Sequence, residues 1–205
     1  MKVEALLKRL LAVTVSALVV GELLLVLVSW LLSATATGDV RSLLSSEGIR
    51  WFVGGFVSML STPWLVYLLL LAMAGGCLWR SGLLSILIPP KTALNYRQRI
   101  ALRMTFAFLI IYIGVILLLT AVPHAILLSA TGQLLPSPFS RAFIPVVAFG
   151  LLLLSIAYGR TSGRFASVTE VLDAVSFGVS CTAPLFILYV LAVQFIASMS
   201  FVLGL

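Results

Sequence analysis

The sequence predicts an all-α integral membrane protein with about five transmembrane helices and a short interfacial amphipathic helix, its N-terminus cytoplasmic and its C-terminus outside. Three observations predict it. Hydrophobic residues make up 62% of the 205 positions and charged residues 9%, against roughly 45–50% and about 25% in soluble domains. The apolar residues come in runs long enough to cross a bilayer, about 20 residues each. The basic residues fall between those runs and are unevenly shared between alternate gaps.

The first run, about 10–33, follows Lys2, Lys8 and Arg9, and Ala34-Thr35-Ala36 has the look of a cleavage box. Its length exceeds the roughly 7–15 residues of a signal-peptide core and it contains Glu22, so it reads as a retained span. Further spans are expected at about 62–84, 100–122, 139–158 and 173–203. The segment Asp39 to Phe56 alternates polar residues with Leu43, Leu44, Ile49, Trp51 and Phe52. It suits an amphipathic helix at the headgroups with Trp51 as anchor. Ile88 to Arg99, opening with Pro89-Pro90, reads as a loop, and Pro123 to Pro138 as a turn-rich return into the bilayer. In Gly159 to Val168, Ser167 or Thr169 could cap the last helix, with Glu170 and Asp173 in its first turns. The chain is treated as one membrane domain, 1–90 holding the first two spans and 91–205 the other three.

Orientation follows from the positive-inside bias. With the N-terminus inside, one side carries Lys2, Lys8, Arg9, Arg80, Lys91, Arg97, Arg99, Arg103, Arg160 and Arg164, and the other Arg41, Arg50 and Arg141. The net charge of +7 is thereby explained by topology, and no basic stripe with interleaved aromatics points to nucleic acid. Cys77 and Cys181 read as small buried hydrophobes. Ala72 and Gly76, with Gly75 adjacent, would allow close helix approach.

No phosphate loop, metal cluster or nucleophile with a base is found, so no catalytic, cofactor or metal site is assigned and an enzyme is disfavoured. The interior polar residues are more informative. Glu22 is the only acid in the interior of a span, where an uncompensated charge costs at least roughly 2.5–3.5 kcal/mol. It reads either as a proton- or cation-linked site or as a carboxyl hydrogen-bonded to a neighbouring helix. Gln194, whose amide both donates and accepts, is its candidate partner. His124, at the outer end of the third span, has no metal-binding companions in the sequence.

Several segments resemble the p-aminobenzoyl-glutamate transporter (AbgT) family. They are Ser42-Leu43-Leu44-Ser45 through Arg50-Trp51, Arg80-Ser81-Gly82-Leu83-Leu84, and Leu94-Asn95-Tyr96-Arg97-Gln98-Arg99 into Arg103. Thr131-Gly132-Gln133-Leu134-Leu135-Pro136-Ser137-Pro138-Phe139, Ile156-Ala157-Tyr158-Gly159 and Ala192-Val193-Gln194-Phe195-Ile196-Ala197 follow in family order. The resemblance implies a dimerising scaffold and a transport part built on two re-entrant hairpins that hold substrate and coupling cation. Here the second span leads into the mid-chain helix through residues 89–95, and the sequence ends at Leu205, so neither hairpin region has a counterpart. Trp79 replaces an acid of the family pattern, and Ser198-Met199-Ser200-Phe201 replaces its Asn/Trp/Ser run. No substrate-site residue carries over. The resemblance implies a scaffold-like, homodimeric protein of a bacterial inner membrane with inherited transport of p-aminobenzoyl-glutamate or related folate-type compounds. Another membrane subunit could supply the transport part; the alternative is a non-transporting assembly subunit.

Overall fold

The computed structural model describes residues 2–35, 40–87, 95–121 and 138–204. Asp39, Lys91, His124, the Pro89-Pro90 turn and the Thr131 to Ser137 segment lie outside them. The elements are α1 (Lys2–Ala34), α2 (Ser46–Leu60), α3 (Pro63–Ser81), α4 (Leu84–Leu87), α5 (Tyr96–Ala121), α6 (Pro138–Ser162) and α7 (Val168–Leu203). Among the described residues, five are long and apolar enough to cross a membrane: within α1 at Leu6–Ala34, α3, α5 at Tyr96–Thr120, α6 at Ala142–Ser162, and α7.

α1, α6 and α7 and the start of α5 run past the apolar limits read from the sequence, whereas α3 stops short of them, because hydrophobicity alone does not set helix ends. Asn95 starts α5, its N–H donating to the Gln98 side chain at 3.0 Å. Arg97 and Arg99 therefore sit in the first turns of a helix and not in a loop. Ser167 caps α7 by accepting from the Glu170 N–H at 3.2 Å, while the Glu170 carboxylate accepts from the Ala166 N–H at 2.6 Å. Gly163, at φ 81°, closes α6: its N–H reaches Arg160 O at 3.3 Å and the Arg164 N–H reaches Gly159 O at 2.9 Å. A left-handed residue at this position lets two late amides satisfy carbonyls that the helix leaves open.

The chain forms two compact units, Met1–Val66 with Ala183–Leu205, and Tyr67–Thr182. In the first, α1 and the last turns of α7 run parallel. A Cβ on Gly21 would sit 3.1 Å from the Phe195 ring, and further along both helices Leu25 and Val26 pack on a cluster of Leu43, Phe201 and Val202. The link into α2 is tied to both helices: Leu43 N–H donates to Ser29 Oγ at 3.3 Å and Arg41 N–H to Val202 O at 3.2 Å. Ser45 caps α2 through the Gly48 N–H at 3.0 Å. Gly48 must lack a side chain, because a Cβ there would lie 2.5 Å from the Ser42 and Leu43 carbonyl oxygens.

The amphipathic segment thus begins later than its sequence pattern suggests, at Ser46, and extends to Leu60. Its apolar stripe of Ile49, Val53 and Val57 is exposed. Trp51, expected at the headgroups, is half-buried and stacks on Phe201 with ring centroids 4.5 Å apart. The stacking gives the ring a partner within the protein. After α2 the chain turns at Ser61-Thr62, and Pro63 opens α3, where its missing N–H costs no hydrogen bond. The Thr62 hydroxyl bonds that of Tyr189, and Tyr189 also donates to Leu60 O at 3.2 Å.

In the second unit α3 and α7 cross at backbone contact. A Cβ on Gly178 would lie 2.0 Å from Ala72 O, and one on Gly76 would lie 2.3 Å from Gly178 Cα. The small residues of α3 therefore serve an intrachain crossing, with Gly75 facing open space. Beside α5, Gly150 of α6 lies under the Tyr112 ring, whose hydroxyl donates to Val146 O at 2.7 Å. Cys77 is buried with Phe165 and Ala174. Cys181 is exposed, which corrects the expectation for that cysteine: in a lipid-facing helix an apolar residue need not be buried in protein.

Candidate functional site within the membrane

The interior acid and the amide picked out from the sequence come together through a third residue. Glu22 lies near the middle of the Leu6–Ala34 span, and Gln194 and Ser198 lie one turn apart on α7. Ser198 Oγ donates to Glu22 Oε1 at 2.6 Å. Gln194 Nε2 reaches the same hydroxyl at 3.5 Å. The result is a relay of donors, amide to hydroxyl to carboxyl, that delivers one short hydrogen bond to one carboxyl oxygen.

The helical spacing makes this possible. Residues i and i+4 share a face, so Gln194 and Ser198 project together. The close approach at Gly21, next in sequence to Glu22, brings α1 against that face. Gln194 is 6% exposed and Ser198 is 0% exposed, and Glu22 is half-buried. Ser198 entered the sequence reading only as a departure from a family pattern. Its i, i+4 relation to Gln194 was the available signal.

Two oxygen atoms of the cluster are not served. Glu22 Oε2 and Gln194 Oε1 are buried and have no hydrogen-bond partner among the described residues. A buried acceptor left in this way costs about 1–3 kcal/mol. What these two acceptors lack is a hydrogen-bond donor.

The other acids behave differently. Glu170 is used as a capping group. Glu47 lines a cavity of about 390 Å³ with Arg41, Trp51, Met59 and Ser200 among its neighbours. Among the described residues no three His, Cys, Asp or Glu side chains gather as a metal would require.

An all-helical, multi-pass architecture with a polar cluster in the interior of its spans defines the class as a membrane protein, and comparison with solved structures narrows it to a transporter fold. The chain is similar to the Alcanivorax borkumensis YdaH transporter, whose crystal structure shows an unusual topology, with a TM-score of 0.78 at 17% identity over 90% of this chain and 70% of that one. The model of the AbgT putative transporter family matches residues 89–202. The chain belongs to that family. Among curated proteins none matches it. The segments at 94–103, 131–139, 156–159 and 192–197 fall inside the matched range, whereas those at 42–51 and 80–84 precede it.

Within the fold, residues of the segments at 42–51, 80–84 and 156–159 hold structural positions. Tyr158 is buried against Leu83 and Ala101, and Gly159 underlies the Phe165 ring. Ser45 is a helix cap, and Gly82, at φ 77°, ends α3.

Proposed function

We propose that this chain serves the transport of p-aminobenzoyl-glutamate or related folate-type compounds across a bacterial inner membrane, as the scaffold portion of a transporter. The observation that carries the proposal is the family match over 89–202, joined to the transporter fold of the whole. The scaffold role rests on an internal feature: α4 ends at Leu87 and α5 begins at Tyr96. That interval is too short for a re-entrant helical hairpin, since two helical arms of even two turns each need about 14 residues. The substrate-holding part then comes from another polypeptide or another segment.

On this reading the scaffold is a homodimer with its N-terminus in the cytoplasm. The side-chain placement supports the orientation. In the second unit the Arg164 guanidinium lies over Gly82 and Arg97 approaches Gly163, so basic residues at the start of α5 and just after α6 gather near the end of α3. That is the cytoplasmic end by the positive-inside rule.

The test is reconstitution. Proteoliposomes holding the purified chain alone are expected to show no uptake of labelled p-aminobenzoyl-glutamate, and vesicles of native membrane containing it to show saturable uptake. Cation-dependent uptake by the chain alone would overturn the scaffold role.

A further inference from the structure

In the first unit the link before α2, α2 itself and the last turns of α7 line a cavity of about 390 Å³. That volume falls within the range of small-molecule sites, roughly 300–1,000 Å³. Its lining joins two characters: Arg41 and Glu47 supply one charge of each sign, and Trp51, Met59, Ala197 and Phe201 supply apolar wall. Among the described residues neither the Arg41 guanidinium nor the Glu47 carboxylate has a hydrogen-bond or ion-pair partner. The two charges share the space without closing on each other, so each keeps its hydrogen-bonding capacity for a third group.

Position selects the kind of molecule. The lining runs along α7 from Ala197 to Gly204, about 10 Å at about 1.5 Å per residue, and the spanning helix ends at Leu203. One headgroup layer is roughly 5–8 Å deep, so the cavity reaches from it into the edge of the hydrocarbon. Beside it α2 exposes Ile49, Val53 and Val57, a stripe at helical spacing that fits the same boundary. A molecule that fills this space needs a charged end and an apolar end.

We infer that the cavity holds the headgroup of a zwitterionic phospholipid with a primary ammonium, of the phosphatidylethanolamine class, its phosphodiester on Arg41 and its ammonium on Glu47. The planar guanidinium offers parallel donors to two phosphate oxygens. The carboxylate accepts from the ammonium, whose charge also gains from the aromatic ring of Trp51 in the same lining. The backbone holds both groups in place: the Arg41 N–H donates to Val202 O at 3.2 Å, and Glu47 sits in the first turn of α2, behind its Ser45 cap. Charge balance supplies the selectivity. A zwitterion leaves the site neutral, whereas phosphatidylglycerol brings an anion and no cation for Glu47, and the quaternary ammonium of phosphatidylcholine has no N–H to donate.

The experiment titrates the purified full chain in detergent with dioleoyl phosphatidylethanolamine, phosphatidylcholine or phosphatidylglycerol and counts bound lipid by native mass spectrometry. Half-saturation by phosphatidylethanolamine is expected at a several-fold lower concentration than by the other two, with soluble glycerophosphoethanolamine at equal concentration displacing none of it. Glu47→Ala is expected to erase the preference over phosphatidylcholine, and Arg41→Ala to weaken the binding of both several-fold. Both side chains are exposed, so the variants are expected to fold as the wild type does. Equal half-saturation by the three lipids, a preference that survives Glu47→Ala, or displacement by the soluble headgroup overturns the proposal.

Discussion

Ser198 on α7 donates a 2.6 Å hydrogen bond to Glu22 on α1, joining two residues 176 positions apart in two membrane-spanning helices. Because the donor is fully buried, the relevant quantity is the cost of leaving its buried partners unserved, about 1–3 kcal/mol. Ser198→Ala is expected to lower stability by about that amount, because it leaves a carboxyl oxygen and the Gln194 amide without partners. Thermal unfolding in detergent checks this. The combined variant Glu22→Leu, Gln194→Leu, Ser198→Ala is expected to recover most of the loss, since apolar replacement of a whole buried polar group is often neutral. Failure to recover would mean that the cluster does more for the fold than satisfy itself.

At the α3 and α7 crossing, Gly178→Ala places a methyl group 2.0 Å from Ala72 O and 2.8 Å from Gly76. Both obstacles are backbone and cannot turn aside, so a loss of about 1–3 kcal/mol or more is expected from overpacking. Gly75→Ala, one position from the crossing and facing open space, should stabilise by up to about 1 kcal/mol through helix propensity. Melting temperatures of the two variants moving together would contradict the crossing.

Ser167→Ala removes the cap of α7 and should cost about 1 kcal/mol. Its effect is local: amide exchange at Val168 to Glu170 is expected to speed up while the Cys77 region is unaffected. Uniform acceleration would indicate that the cap supports more than the helix start.

The fold was legible in the sequence to the extent that lipid dictates it. Long apolar runs had to become spanning helices, and they did. What hydropathy could not supply were the ends, because Asn95, Ser167 and Gly163 act through single hydrogen bonds that no average registers. The site was half legible. Glu22 stands out since a carboxyl in hydrocarbon demands a reason, and Gln194 for its amide. Ser198, which connects them, looks in sequence like any small residue of a membrane helix. The stacking of Trp51 on Phe201 was not legible either, because the two residues are far apart in sequence.

Orientation is open to direct measurement. In a background with Cys77 and Cys181 replaced by alanine, Arg50→Cys is expected to react with an impermeant maleimide on intact cells. Ala166→Cys should react only after permeabilisation. The reverse pattern would invert the topology assigned from the basic residues.

The central claim is that this AbgT-family chain serves the movement of a folate-type solute across its membrane. Flux of radiolabelled p-aminobenzoyl-glutamate in cells of the source organism, with the gene present, deleted and restored, tests it most directly. The account predicts a several-fold loss on deletion and recovery on restoration; equal flux in all three strains would contradict it.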